Sequence, residues 1–273
     1  MINGVAVNTS NSRQLNFALL DAVEYVRIED VRRLLDLGAS VKARNRFGNT
    51  ALLLAAQKGH LNIMQLLLGA GSDIHHQNLA GNTALFQATR ARRRKAVKYL
   101  LASKAKVNVA NRQQLTPLIA AAYNGDRKTV QLLLSHGADP TLTDQTGKTA
   151  LVYASGKGFS KIVGLLLDTG IETSIRYGNE LTILMWAAGH SNDVPSQAAL
   201  KTVKLILSKG ANPDLVDKRG QTALMIAAEM GHLSIVEHLL GIGAMDDVRD
   251  LEGRTALDLA ESENHADVAK LLR

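Results

Sequence analysis

One threonine returns at a fixed step along this chain. Thr50, Thr83, Thr116, Thr149 and Thr182 follow one another every 33 residues, Thr222 comes 40 later, and Thr255 follows 33 after that. A period of this length builds a fold from stacked, similar units that each need their neighbours to bury an apolar face. The step of 40 places seven extra residues in one unit. A degenerate copy, FALLDAVEYVRIEDVRRLLDLGASV from Phe17, precedes the others and brings the number to eight.

Each copy has a local logic. Thr50 stands where its hydroxyl can cap the free N–H groups of a helix, and Pro117 after Thr116 occupies the first-turn position that tolerates proline. The predicted helix Ala51–Lys58 presents Leu52, Ala55 and Ala56, a narrow apolar surface that lets another helix approach closely. Gly59 is expected to stop it in a left-handed turn. A second helix follows with Ile63, Leu66 and Leu67 at three- and four-residue spacing, ended by Gly71 before an extended link. Only 4% of residues are aromatic while 46% are apolar, a balance that suits close-packed helices over a strand-rich sandwich. The expected fold class is all-α.

The windows TALLLAAQKGHLNIMQLLL and TALMIAAEMGHLSIVEHLL carry a resemblance to ankyrin repeats, and it extends over nearly the whole chain. The resemblance implies a solenoid of helix–turn–helix pairs with β-hairpin-like loops, stacked into a curve. The expected division is a flexible N-terminus over 1–11 and a single domain over 12–273. Its copies are expected near 12–44, 45–77, 78–110, 111–143, 144–176, 177–216 (with the seven-residue insertion), 217–249 and 250–273. Three departures from the family pattern stand out. The histidine that usually follows the Thr-Pro-Leu element is replaced by Leu53, Phe86, Ile119, Val152, Met185, Met225 and Asp258, which puts its hydrogen-bond network in doubt. Arg92-Arg93 replaces Gly-His, and Gln114 and Glu180 replace hairpin glycines, so those turns are expected to be distorted. The seven-residue insertion around Asn192, Asp193 and Pro195 is expected to protrude as a loop.

Charge is concentrated. From Ile74 to Gly125 there is no acidic residue but nine basic ones: Arg90, Arg92, Arg93, Arg94, Lys95, Lys98, Lys104, Lys106 and Arg112. The formal net charge is only +7, so this segment supplies the excess. Such a run reads either as a solvated face or as a surface complementary to an acidic partner. Stacking-type nucleic-acid binding is disfavoured, since only Phe86 and Tyr99 lie near the bases.

The resemblance implies that partners meet the hairpin tips and the solvent side of each first helix. In this sequence those positions include Phe47, Asn49, Lys58, Arg90, Arg112, Gln113, Tyr123, Gln145, Lys157, Tyr177, Asn179, Arg219 and Met230. Phe47, Tyr123 and Tyr177 have the chemistry of anchors, a large ring at low entropic cost, unless each packs against its own loop. Trp186 is expected in the core with its N–H on a local acceptor.

Chemistry beyond binding finds little support. With no cysteine, there are no disulfides, thiolate metal sites or cysteine nucleophiles. His190, Ser191 and Asp193 are adjacent loop residues without an oriented base or an oxyanion site, and His75-His76 is a weak metal pair. His60 and His232 follow turn glycines and read as turn-stabilising residues. No cofactor, metal or catalysis is expected. The expectation is a monomer or 1:1 complex in which the binding itself is the function: regulation, inhibition or shielding of an acidic partner protein. An immunity-type inhibitor of a secreted hydrolase is the concrete version, a passive scaffold or secreted effector the alternative. The copies resemble bacterial members of the family. No 18-residue apolar stretch spans a membrane, and the first twelve residues do not form a signal peptide. The expected compartment is the bacterial periplasm if a leader was trimmed, the cytoplasm otherwise.

Overall fold

The computed structural model describes residues 9–191 and 193–273, Thr9 and Ser10 by their backbone alone. The chain forms two compact units, Met1–Asp139 and Pro140–Arg273. The first holds four helix pairs: α1 (Thr9–Glu24) with α2 (Ile28–Asp36), α3 (Ala51–Lys58) with α4 (Leu61–Gly69), α5 (Ala84–Arg90) with α6 (Arg94–Ala102), and α7 (Pro117–Tyr123) with α8 (Arg127–Leu134). The second holds α9 (Ala150–Gly156) with α10 (Ser160–Leu167), α11 (Ile183–Ala188) with α12 (Ser196–Ser208), α13 (Ala223–Glu229) with α14 (Leu233–Gly241), and α15 (Ala256–Ser262) with α16 (Ala266–Leu272). Among the described residues, strand-like pairing is confined to two isolated bridges, Arg44 with Thr50 and Tyr177 with Leu181. No helix among them is long and apolar enough to cross a membrane. Helix α1 starts three residues ahead of Ser12, and residues 1–8 of the expected flexible N-terminus lie outside the described residues.

The first helix of an inner pair is buried almost all round, whereas α1 and α15 at the two ends are not. In α3 every residue from Ala51 to Ala56 is buried, and in α13 every residue from Ala223 to Ala228. Helix α3 is enclosed by its own α4 and by α1 and α5 of the adjacent copies. That enclosure explains why alanine alternates with larger side chains: a helix touched from three directions needs small residues for axes to come close. Second helices bury only one stripe, such as Ile63, Met64 and Leu67 in α4.

Caps and turns set the register. The hydroxyls of Thr83, Thr116, Thr149, Thr182, Thr222 and Thr255 each accept the N–H three residues on. Thr50 departs from expectation: its backbone has the cap conformation, yet its buried hydroxyl has no partner among the described residues. The replaced histidine leaves a reciprocal bond at two positions only. Met185 Sδ accepts from the Thr182 N–H, and the Asp258 carboxylate accepts from the N–H and hydroxyl of Thr255.

The turns expected to be distorted are not. Arg92, Gln114 and Glu180 adopt left-handed backbone, with φ of 57°, 58° and 64°, in the place of glycine. The turn bonds persist, with Arg93 N–H to Ala88 C=O at 2.8 Å matching His60 N–H to Ala55 C=O at 2.9 Å. Left-handed strain of roughly 1 kcal/mol per residue is tolerated because the surrounding bonds over-determine the turn. Where hairpins of adjacent copies touch, glycine is required by contact. A Cβ on Gly81 would sit 2.8 Å from the Arg112 nitrogen, whose N–H bonds the Ala80 carbonyl.

The insertion is also absorbed differently from expectation. Part of it lengthens α12 to 13 residues, and Val194 is buried close to Gly158, where an added Cβ would meet its Cγ1 at 2.8 Å. Asp193 and Pro195 remain exposed, while Asn192 lies outside the described residues.

The cap bonds predict a contrast. Thr83→Ala removes a formed cap and lowers stability by about 1 kcal/mol, whereas Thr50→Ala removes an unpaired hydroxyl and changes it by less. Urea unfolding of the two variants beside the parent checks this.

Candidate functional site

Hairpin loops are organised by one side chain. Asn45 Oδ1 accepts the N–H groups of Phe47 and Asn49, and Asn78, Asn111, Asp144, Asp217 and Asp250 repeat this bonding at equivalent positions. The loop tip is thereby held out from the helices with its next residues facing solvent. Asn78 also donates to Asn49 at 2.7 Å and Asn111 to Asn82 at 3.1 Å, tying each loop to the next.

In the first unit these loops and the first helices enclose a groove of about 800 Å³. Phe17, Leu20, Asp21 and Glu24 of α1 form one wall, and Leu54 and Gln57 of α3 with Asn45, Phe47 and Asn49 of the hairpin form the other. Phe17 and Phe47 are 56% and 54% exposed, unusual for rings of this size. Arg13 lies 5.6 Å over the Phe17 ring and Arg46 4.7 Å over that of Phe47. Both acids are paired, Asp21 with Arg27 at 2.6 Å and Glu24 with Lys58 at 2.7 Å. The groove therefore offers two apolar rings, each topped by a guanidinium.

The basic run divides into two populations. Arg94 bonds both oxygens of Asp126, at 2.8 and 3.0 Å. The Asp126 side chain is 2% exposed and also caps α8 through the Thr129 N–H and hydroxyl. Arg93 Nε donates to the Gln57 carbonyl at 3.2 Å, and Arg92 donates to the Asn124 carbonyl. These three arginines join successive copies. Arg90, Lys95, Lys98, Lys104 and Lys106 are exposed and make no ion pair among the described residues. Arg112, Gln113 and Tyr123 are also exposed, Tyr123 at 52%.

In the second unit, Gln145, Asn179, Arg219 and Met230 are exposed and Lys157 is half-buried. Arg219 is tied to Asp217 at 3.2 Å. Asn49 and Tyr177, read as loop-tip contacts, are buried at 9% and 7%. Tyr177 stands where the other loops have Asn or Asp, so its ring folds in beside Thr149, and burial pushes its phenol above the ordinary value. Trp186 is half-buried, with Lys148 Nζ 5.0 Å from its ring; its enclosed Nε1 has no acceptor among the described residues, contrary to expectation. Burial opposes the charge on Asp144, but bonds from Tyr153, Thr146 and the backbone outweigh it and hold the carboxyl below its usual range.

Two histidines, His232 and His265, tie successive copies together. His232 Nε2 donates to the His190 carbonyl at 3.0 Å, and His265 Nε2 to that of Glu229 at 3.1 Å, at the register where Arg93 bonds Gln57. His60, read the same way, has an enclosed Nε2 without a partner among the described residues. The His190 and His232 rings stack at 3.8 Å and 10°. His190 Nδ1 meets the Ser191 carbonyl, while the Ser191 hydroxyl bonds Asp193, so hydroxyl, imidazole and carboxylate do not form a relay. His76 Nε2 is engaged with the Gly48 carbonyl, and no group of three or more potential metal ligands occurs among the described residues.

The sequence pattern did not single out Phe17, Leu20, Asp21 or Glu24. The first copy keeps Gly38, the counterpart of Gly71, but has Phe17 and Val26 in place of the helix-capping Thr and the first turn glycine, so only counting back 33 residues from Thr50 and Leu54 aligns Phe17 and Asp21.

Burial, with electrostatic repulsion from the neighbouring His190 and His265 rings and against the bond to the His190 carbonyl, holds the His232 pKa below its ordinary value; burial lowers His60 and His238 too. Such groups bind fewer protons folded than unfolded, so stability is complete above the unfolded value near 6.5 and falls as pH drops through it. The urea midpoint is expected to decline from pH 7 to pH 5, and His232→Gln, which keeps a donor for His190, to flatten that decline. A second prediction concerns Asp126: its replacement by Ala strips a cap and a copy-to-copy ion pair and lowers stability by about 2–3 kcal/mol, measured the same way.

A family model described as ankyrin repeats (3 copies) matches the chain at residues 19–111, 65–144, 118–196 and 194–273. Comparison with curated proteins gives no match.

Proposed function

Because the chain belongs to the ankyrin-repeat family, whose members typically bind other proteins, we propose that it is a non-enzymatic module that inhibits or shields one partner protein. The observation that carries this reading is the groove between α1 and α3. Two large rings stand more than half exposed there, in a chain with few aromatics, and Arg13 and Arg46 above them have no ion pair among the described residues. A matching partner element brings an apolar side chain to the rings and carboxylates to the guanidiniums. Arg90 and Arg112 extend the positive field in the same unit and favour fast encounter with an acidic surface.

The concrete form is an immunity-type inhibitor of an enzyme, such as a secreted hydrolase, with acidic residues around its active site. A standard interface covers about 800 Å² per partner, enough to close an active-site cleft without any chemistry from the inhibitor. The bacterial periplasm is the compartment in which a producer would need such protection.

Affinity capture from source-cell lysate with a salt-step elution, followed by an activity assay, tests this reading. One salt-sensitive enzyme inhibited at equimolar ratio supports it. Several unrelated proteins without inhibition favour a scaffold. Phe17→Ala and Phe47→Ala are each expected to weaken binding of the captured enzyme by about 2 kcal/mol, as for anchor residues, with the urea midpoint nearly unchanged because both rings are exposed.

A further inference from the structure

The arginines that join copies leave a separate set of basic residues with no internal role. On α6, Ala96, Val97, Leu100 and Leu101 are buried, and Lys95 and Lys98 face solvent one turn apart. On the adjacent α8, Thr129, Val130 and Leu133 are buried, and Arg127 and Lys128 face solvent. Lys128 repeats Lys95 at the 33-residue step. Lys104 and Lys106, also exposed, continue the strip beyond the end of α6. Between Asp73 and Asp139 the sequence has one acid, Asp126, and that carboxylate is buried against Arg94. Asp73 and Asp139 stand one 33-residue step before and after Lys106 at one end of the strip, but no other acid than the buried Asp126 lies in the sequence between them, and none of the six bases makes an ion pair among the described residues.

We propose that this face, distinct from the groove, docks an acidic, extended polypeptide segment rich in Asp or Glu. Five of the six bases are lysines: compact, hydrated charges on flexible stems that suit mobile carboxylates. The planar guanidiniums that grip phosphate in two-point fashion are, in this region, largely engaged between copies through Arg92, Arg93 and Arg94. No large apolar side chain of α6 or α8 is exposed, which removes both a wedge for lipid and a platform for stacked bases. Lysines one helical turn apart, on helices about 10 Å apart, match the roughly 7 Å side-chain repeat of an extended chain.

The test uses the full chain and a fluorescein-labelled peptide of ten glutamates, read by anisotropy at low and raised salt. Binding is expected to weaken as salt rises, and Lys95→Glu, Lys98→Glu and Lys128→Glu together are expected to weaken it by about tenfold or more. Phe47→Ala should leave it unchanged, which separates this face from the groove. If the reversal variant does not fold, the triple change to Gln at the same sites provides the reading, with a smaller loss. No binding of the peptide, equal binding by the variants, or tighter binding of duplex DNA or of phosphatidylserine vesicles than of the peptide would each overturn the proposal.

Discussion

No single copy of this repeat can bury its own first helix. A helix such as α3, apolar around its whole circumference, must be enclosed by neighbours on either side as well as by its own partner helix. Everything else in each unit answers to that requirement. Alanine at the closest approaches, glycine where loop meets loop, and Asn or Asp at the loop base are what adjacent copies need in order to touch. A fully buried Leu52 or Leu85 contributes roughly 1.5–3 kcal/mol only because the next copy is present to cover it.

Stacking also decides which polar groups remain for a partner. The most conspicuous charge in the sequence, Arg92-Arg93-Arg94, serves the contact between copies: one side chain bonds a buried carboxylate and two bond carbonyls at helix ends. His232 and His265 do the same work at the same register in the second unit, each through its Nε2. Arginine and histidine are thus interchangeable at this position as carbonyl donors, although one brings a permanent charge and the other a pH-dependent one. The bases with no internal partner are mostly lysines, set apart from the aromatic groove.

Much of the fold was legible because periodicity reports directly on stacking. The Thr positions fixed helix starts, and the spacing of Ile63 and Leu67 followed the buried stripe of α4, in which Met64 is buried and the expected Leu66 is only half-buried. What the pattern could not convey was the outcome of competition between neighbours. Gln114 and Glu180 looked like broken turns, yet the bonds on either side hold them in left-handed backbone. Tyr177 looked like an exposed tip, but lacking the Asx bond its ring packs inward. Thr50 looked like its six counterparts and is the one whose hydroxyl is left unpaired. The groove itself was half visible: Phe47 and Asn49 read as hairpin positions, while its other wall sits in a copy that has lost the Thr and the first turn glycine.

The claim on which the functional account rests is that stacking residues and partner-facing residues are separate sets. Hydrogen exchange of the chain alone and saturated with its captured partner, read by mass spectrometry, tests this most directly. The account predicts new protection over 17–24 and 45–57, with exchange at 92–94 and 124–126 unchanged. Protection confined to 92–94 and 124–126, with none along the groove, would contradict it.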